Sequence, residues 1–357
     1  MTKLKVGVVG SGSIAQFHLA AYKANPSAEV VAICDIDRPR AEQSAAEFEI
    51  GQVYSDYRDL LADKNVDAVS VCTRNDTHAD VAIAALGAGK SVLIEKPMAT
   101  TVAEALGIVE AETASAGIVQ IGYVRRFATN AQVLKSFVDA GDLGEIYYAK
   151  ASCIRRAGNP GGWFADKKIS GGGPLIDLGV HFIDICWYLM GTPPVQSVSG
   201  YAFEKIGSRG NISTLPRYLT VDQDYSKNDV EDIAGAQIRF INGSVLAFDV
   251  SYSVHGRDNS SVTIFGDKGG AELEPELRIF TEKHNTILEI NPQIASLTFD
   301  LASGFQNEID TFVASAQGVT NPVAPAAHGL EMAQIIAAIY QSAALGHEIM
   351  LGDPVRQ

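Results

Sequence analysis

The apolar positions of this chain change their period near residue 124. Before that point, compact β-branched runs at 5–9, 30–34, 67–72, 91–94 and 119–122 alternate with stretches at 14–24, 38–48, 77–88 and 102–116 whose apolar residues recur at helical spacing. Near-continuous apolar runs suit strands covered on both faces, and their alternation with helices is the pattern of βαβ units. A doubly wound Rossmann domain with a parallel sheet is therefore expected over 1–123.

Beyond it, a helix at 130–140 and the run 147–155 precede strand-like segments at 195–203, 233–241, 245–254, 262–265 and 277–281. Turn signals such as Asn242-Gly243 and Gly266-Asp267 separate them, as hairpin-connected antiparallel strands require. An α+β domain is expected over 124–357, closing with helices at 305–315 and 326–345. The polar stretch 205–227 reads as a long loop or arm.

One segment, 174–190, carries a conflict. Leu175, Ile176, Leu178, Val180, Phe182, Ile183, Ile185 and Trp187 make it apolar almost all round, so as a helix it must be buried. Yet Asp177, His181 and Asp184 fall at i, i+4 and i+7 on one stripe, which Tyr188 extends. Burying a carboxylate and an imidazole without partners is costly, so the stripe either forms a satisfied Asp–His pair in a core or faces a reacting hydroxyl.

At 357 residues the chain is long enough for two domains, and its 46% hydrophobic and 20% charged residues are those of a globular protein. No apolar run approaches the roughly 20 residues of a membrane span, and the first residues lead straight into a strand, so no membrane partner and a cytoplasmic location are expected. Cys34, Cys72, Cys153 and Cys186 lack metal-type spacing and read as reduced core residues. A net charge of −14 with scattered basic residues excludes a phosphate-backbone partner; Arg125-Arg126 and Arg155-Arg156 are the only close arginine pairs.

After the first strand comes Gly10-Ser11-Gly12-Ser13-Ile14-Ala15, a G-x-G-x-x-A turn opening a helix. Gly10 permits the tight turn, Gly12 a close approach of backbone to pyrophosphate, and Ala15 close packing, while the amides from Ser13 and Ile14 onward open the helix toward the phosphates. Asp35 ends the second strand where a carboxylate can bond the adenosine ribose; its other reading is a helix N-cap. This favours NAD over NADP, although Arg38, Arg40 or Arg74 would offset repulsion of a 2′-phosphate. Glu95-Lys96-Pro97 follows the run 91–94 at the carboxyl end of the sheet, where such folds bind ligands. Pro97 restrains the preceding residue and admits a cis bond; the other reading of this lysine is a solvated side chain beside a turn.

These motifs, together with Asp177-x-Gly179-x-His181 after Gly171, Gly172 and Gly173, resemble the Gfo/Idh/MocA family of oxidoreductases over essentially the whole chain. The resemblance implies an N-terminal Rossmann domain, a C-terminal domain with an open, mainly antiparallel sheet that mediates homodimers or homotetramers, and a dinucleotide between them. It implies Lys96, Asp177 and His181 as the catalytic group, with Glu95 and Lys96 beside the cofactor. It likens Thr73-Arg74-Asn75-Asp76-Thr77-His78 to the family's cofactor loop, making Thr73, Asn75 and His78 cofactor residues, with Arg74 where proline is usual. Arg125, Asn159 and Trp163, with His181, would contact substrate; Trp163 reads equally as a core aromatic and Arg126 as a structural ion-pair partner.

Oxidising a secondary alcohol needs a base at the hydroxyl as hydride leaves for nicotinamide. His181 suits that task near neutrality with Asp177 orienting or stabilising it, and Lys96 would stabilise the developing alkoxide or itself carry the proton. The expected function is NAD-dependent oxidation of a sugar, sugar derivative or cyclitol, without a metal. The alternatives are glycoside cleavage through transient oxidation and a non-catalytic nucleotide-sensing regulator.

Overall fold

The computed structural model describes residues 2–216 and 227–351. Residues 217–226, within the expected arm, and 352–357, at the end of the expected second domain, lie outside the described residues. There are two compact units, Met1–Phe127 with Leu301–Ala333, and Ala128–Asp300 with Gln334–Gln357.

In the first unit, strands β1 (Leu4–Val9), β2 (Ala28–Cys34), β3 (Gln52–Tyr54), β4 (Ala68–Val71), β5 (Ser91–Glu95) and β6 (Val119–Gly122) alternate with helices α1 (Ser13–Ala24), α2 (Arg38–Phe48), α3 (Tyr57–Ala62), α4 (His78–Gly87) and α5 (Val102–Thr113). The strands pair in parallel in the order β3-β2-β1-β4-β5-β6, the doubly wound arrangement. Side chains set the helix starts: Asp37 caps α2, Asp56 caps α3, and Thr101 with Glu104 forms a capping box on α5.

The second unit contains α6 (Thr129–Asp139), β7 (Ile146–Ile154), the short α7 (Lys167–Ser170), α8 (Val180–Leu189), then β8 (Val195–Phe203), β9 (Ile233–Phe240), β10 (Val245–Ser251), β11 (Asn259–Gly266), β12 (Gly269–Glu274), β13 (Arg278–Lys283), β14 (Thr286–Ile290) and β15 (Ile349–Met350). They form one open sheet, β14-β13-β12-β11-β7-β10-β9-β8-β15, antiparallel throughout except for the parallel pair β7–β10.

The chain then returns to the first unit with α9 (Leu301–Ala316), and α10 (Ala326–Leu345) follows. Ile309, Phe312 and Val313 of α9 pack with Val6, Tyr22, Ala68 and Leu93, so a helix distant in sequence completes the Rossmann core. All four cysteines are buried and free.

Candidate active site

The nucleotide turn of the first unit separates two kinds of glycine. Gly10 has φ +94°, and a Cβ there would lie 2.4 Å from the Cys72 carbonyl oxygen, so the fold itself requires glycine. At Gly12 a Cβ would meet nothing within 4 Å. The fold leaves open space where α1 begins, so no packing contact requires glycine at this position. Ser13 is exposed on that first turn, Ile14 is half-buried, and Ala15 packs with Val8, Leu19 and Ile33.

Asp35 is buried just beyond β2 and does not cap α2; Asp37 does. Its Oδ2 accepts from the Ser11 amide and hydroxyl, both at 2.8 Å, and its Oδ1 accepts from the Asp37 amide at 2.8 Å and Arg40 Nη2 at 2.9 Å. Burial pushes its pKa up, but these donors outweigh that and hold the carboxyl below its ordinary range. Of the three arginines that would offset a 2′-phosphate, Arg40 is the one at Asp35; Arg38 pairs with Glu42 and Arg74 with Asp76.

Lys96 is half-buried after β5, and its peptide bond to Pro97 is cis. Glu95 holds it from below: Oε2 accepts from the Lys96 amide at 3.2 Å, and Oε1 lies 2.8 Å from His18 Nε2. His78 is a buried clamp, with Nδ1 2.7 Å from the Pro97 carbonyl and Nε2 3.1 Å from the Thr73 carbonyl. It thereby ties the Thr73–Asn75 loop to the Lys96-Pro97 turn. Burial lowers its pKa against the pull of both carbonyls. Arg74 adopts φ −73° and ψ 154°, the backbone a proline would take, so replacing the usual proline leaves the loop intact.

His18 escaped the sequence pattern because it occupies the apolar face of α1. It bridges to Ser70 (3.4 Å), whose hydroxyl lies 2.7 Å from that of Tyr22. Among the described residues, the ligand-type atoms that gather within 4.8 Å of one another are those of His18, Glu95 and Glu308, not those of the Asp177–Asp184 stripe.

In the second unit, the segment expected as one helix over 174–190 opens with a π-turn, Leu175–Gly179, before α8. Such turns are over-represented at functional sites. Asp177, His181 and Tyr188 are partly open, whereas every other residue of 175–190 is buried. Asp184, expected on the same open stripe, is instead 1% exposed. At roughly 100° per residue, Tyr188 lies about 20° around the axis from His181, but Asp184 lies about 60° away, toward the core.

The residues assigned by resemblance to substrate divide differently. Arg125 and Trp163 are half-buried, the latter stacked on Phe164 at 3.9 Å. Asn159 is buried; its Oδ1 accepts from the Gly161 amide at 3.0 Å and its amide bonds Asn228, so it braces its own loop. Arg126 is structural: fully buried, it donates to the Val323 carbonyl at 2.9 Å and faces His328 Nδ1 at 3.0 Å. Burial and this guanidinium push the His328 pKa down to about 4.

Between that value and the unfolded reference near 6.5, the unfolded chain binds a proton that folded His328 refuses. Folding stability is expected to fall as pH drops from about 6.5 toward 4, and His328→Gln to flatten part of that slope. Urea titrations at pH 7 and 4.5 measure it; an unchanged slope in the variant would show that His328 does not contribute.

A parallel sheet in doubly wound order, with a glycine turn after its first strand and a buried carboxylate after its second, defines a Rossmann fold of the dinucleotide-binding class. The chain belongs to the Gfo/Idh/MocA family: residues 4–123 match its NAD-binding Rossmann domain and residues 135–351 its C-terminal α/β domain. It is an oxidoreductase with an NAD-binding Rossmann domain. It is similar to the D-glucoside 3-dehydrogenase of Escherichia coli K12, 33% identical over 353 residues, covering 98% of this chain and 97% of that enzyme. It is also similar to the inositol 2-dehydrogenase of Salmonella typhimurium LT2, 42% identical over 145 residues, 40% of this chain and 43% of that one. A solved levoglucosan dehydrogenase in complex with NADH and L-sorbose superposes with a TM-score of 0.85 at 25% identity, covering 99% of this chain and 100% of that one. Among the described residues, no helix is long and apolar enough to cross a membrane.

Proposed function

We propose that this chain oxidises a secondary hydroxyl of a sugar, sugar derivative or cyclitol, with Lys96, Asp177 and His181 as its catalytic group. The observation that carries the reading is the opening of an otherwise buried π/α segment along Asp177, His181 and Tyr188. Ionisable groups left open on a buried element mark chemistry rather than packing. NAD, when bound, supplies the hydride acceptor. His181 takes the hydroxyl proton on a ring nitrogen, Asp177 stabilises the resulting imidazolium, and the Lys96 ammonium stabilises negative charge on the substrate oxygen. The fit of the dinucleotide rests on the space at Gly12, with Gly10, Ser13, Ile14, Asp35, Thr73, Asn75 and His78 forming or bracing its cradle.

Among substrates, the 33% identity to a D-glucoside 3-dehydrogenase over 353 residues puts glycosides ahead of inositols, an inositol 2-dehydrogenase of Saccharopolyspora erythraea matching over 345 residues at 30%. Incubation with NAD and a panel of D-glucosides, anhydrosugars and inositols is expected to give NADH absorbance with glycosides first. Aglycone release without net NADH would instead establish transient oxidation, and silence across the panel would remove the dehydrogenase reading.

A further inference from the structure

The structure points to a residue outside the family motif that governs Asp177: we propose that Tyr252 is a positioning residue, whose hydroxyl fixes and polarises the Asp177 carboxylate. The inference rests on the reading of Asp177 as a member of the catalytic group. Tyr252 follows β10 and is 2% exposed, and its hydroxyl donates to Asp177 Oδ2 at 2.8 Å. A phenol buried this deeply needs a partner, and this one is a carboxylate.

The placement is over-determined. The Tyr252 amide donates to the Asp232 carbonyl at 2.9 Å, and its carbonyl accepts from the Gly158 amide at 3.0 Å, so both faces of its backbone are fixed. The neighbouring Glu231 holds the other side of the contact. Its Oε2 accepts from the Gly173 amide at 3.0 Å, and its Oε1 accepts from the Leu175 amide at 3.1 Å and the Tyr340 hydroxyl at 3.0 Å. A Cβ at Gly173 would fall 2.6 Å from the Glu231 carbonyl oxygen, and one at Gly172 would fall 1.9 Å from the Tyr340 hydroxyl. The glycines before the motif are thus what lets this clamp close. One dipeptide, Glu231-Asp232, sets the start of the π-turn with its first side chain and the backbone of Tyr252 with its second carbonyl. The register of Tyr252 against Asp177 follows from that arrangement.

The phenol suits the role. Burial, Asp177 and Glu231 push its pKa well above the ordinary value, with Arg155 opposing, so it remains a protonated donor. A neutral donor to Oδ2 favours the ionised carboxylate and locks its plane, which is the form His181 needs beside it when it becomes charged. Tyrosine at this position therefore acts on the reaction only through Asp177.

The test compares Tyr252→Phe, Asp177→Asn and the double variant in the intact enzyme with NAD. Loss of one hydrogen bond to a charged group corresponds to roughly a tenfold to hundredfold effect. Tyr252→Phe is expected to lower kcat by that factor, move the acidic limb of the kcat profile to higher pH, and leave the KM for NAD unchanged. The double variant should be no worse than Asp177→Asn alone, because the two residues act as one unit. Normal kcat and pH profile in Tyr252→Phe, with Asp177→Asn impaired, would overturn the proposal and leave the catalytic reading standing. Normal activity in Asp177→Asn would overturn the catalytic reading itself. If Tyr252→Phe does not fold, fluorotyrosine at 252 keeps the ring and strengthens the donor; the acidic limb should then move to lower pH, and an unmoved limb rejects the role.

Discussion

Lys96→Met and His181→Ala are each expected to lower kcat by about a thousandfold, while leaving the dissociation constant for NAD within a few-fold of the parent. The size follows from what each group supplies. Proton removal by a placed base and stabilisation of an oxyanion by a placed cation each account for two to four orders of magnitude in typical enzymes, and neither is replaced by water at neutral pH. The selectivity follows from the local structure. Glu95 holds Lys96 through the backbone amide, a bond that methionine keeps, and His18 holds Glu95 in turn. His181 is in the second unit, on α8, and takes no part in the glycine turn or the Asp35 bonds. Steady-state kinetics with the best glycoside, paired with calorimetric titration of NAD, separates the two quantities. Turnover near the parent rate in either variant would remove that residue from the catalytic group.

How much of this was readable from the chain differs by element. The first sheet was, because its strands are covered on both faces and appear as apolar runs that polar positions do not interrupt. The strand Gln52–Tyr54 was not, since three residues at a sheet edge carry no period. In the second sheet, β12 begins Gly269-Gly270, which reads as a turn; yet a Cβ at Gly269 would lie 2.7 Å from the Phe280 carbonyl oxygen, so close strand approach requires the glycine. The strand β14 is almost wholly exposed and so shows no apolar alternation.

The positions of the candidate site residues were legible where the motif is local. Gly10 and Gly12 follow β1, Asp35 follows β2 and the Lys96-Pro97 turn follows β5, as the strand pattern placed them. What braces Glu95 before Lys96 and the segment carrying Asp177 was hidden. His18, Glu231 and Tyr252 reach their partners across 77, 56 and 75 residues of chain, and nothing in the local pattern distinguishes them from ordinary interior side chains. Helical spacing also placed Asp184 with His181, and the offset of about 60° that buries it is within what a sequence stripe cannot resolve.

The two glycines of the nucleotide turn are expected to fail in opposite ways. Gly10→Ala places a side chain on a residue at φ +94° with its Cβ 2.4 Å from the Cys72 carbonyl oxygen, 2.7 Å from the Cys72 carbonyl carbon and 3.0 Å from the Thr73 amide nitrogen. The positive φ alone costs about 1–2 kcal/mol, and every clashing atom is backbone, so relief requires moving β4 or the loop that begins at Thr73. A loss of about 3 kcal/mol in unfolding free energy, together with at least a hundredfold weaker NAD binding, is expected. Gly12→Ala meets nothing within 4 Å, so its denaturation midpoint should match the parent. Its methyl nevertheless occupies the room through which a pyrophosphate would approach the start of α1, and NAD affinity should fall although stability does not. Denaturant titration and NAD calorimetry on both variants read the two effects independently. Parent-like NAD affinity in Gly12→Ala would mean that this open space is not where the dinucleotide backbone lies, whatever Gly10→Ala does to the fold.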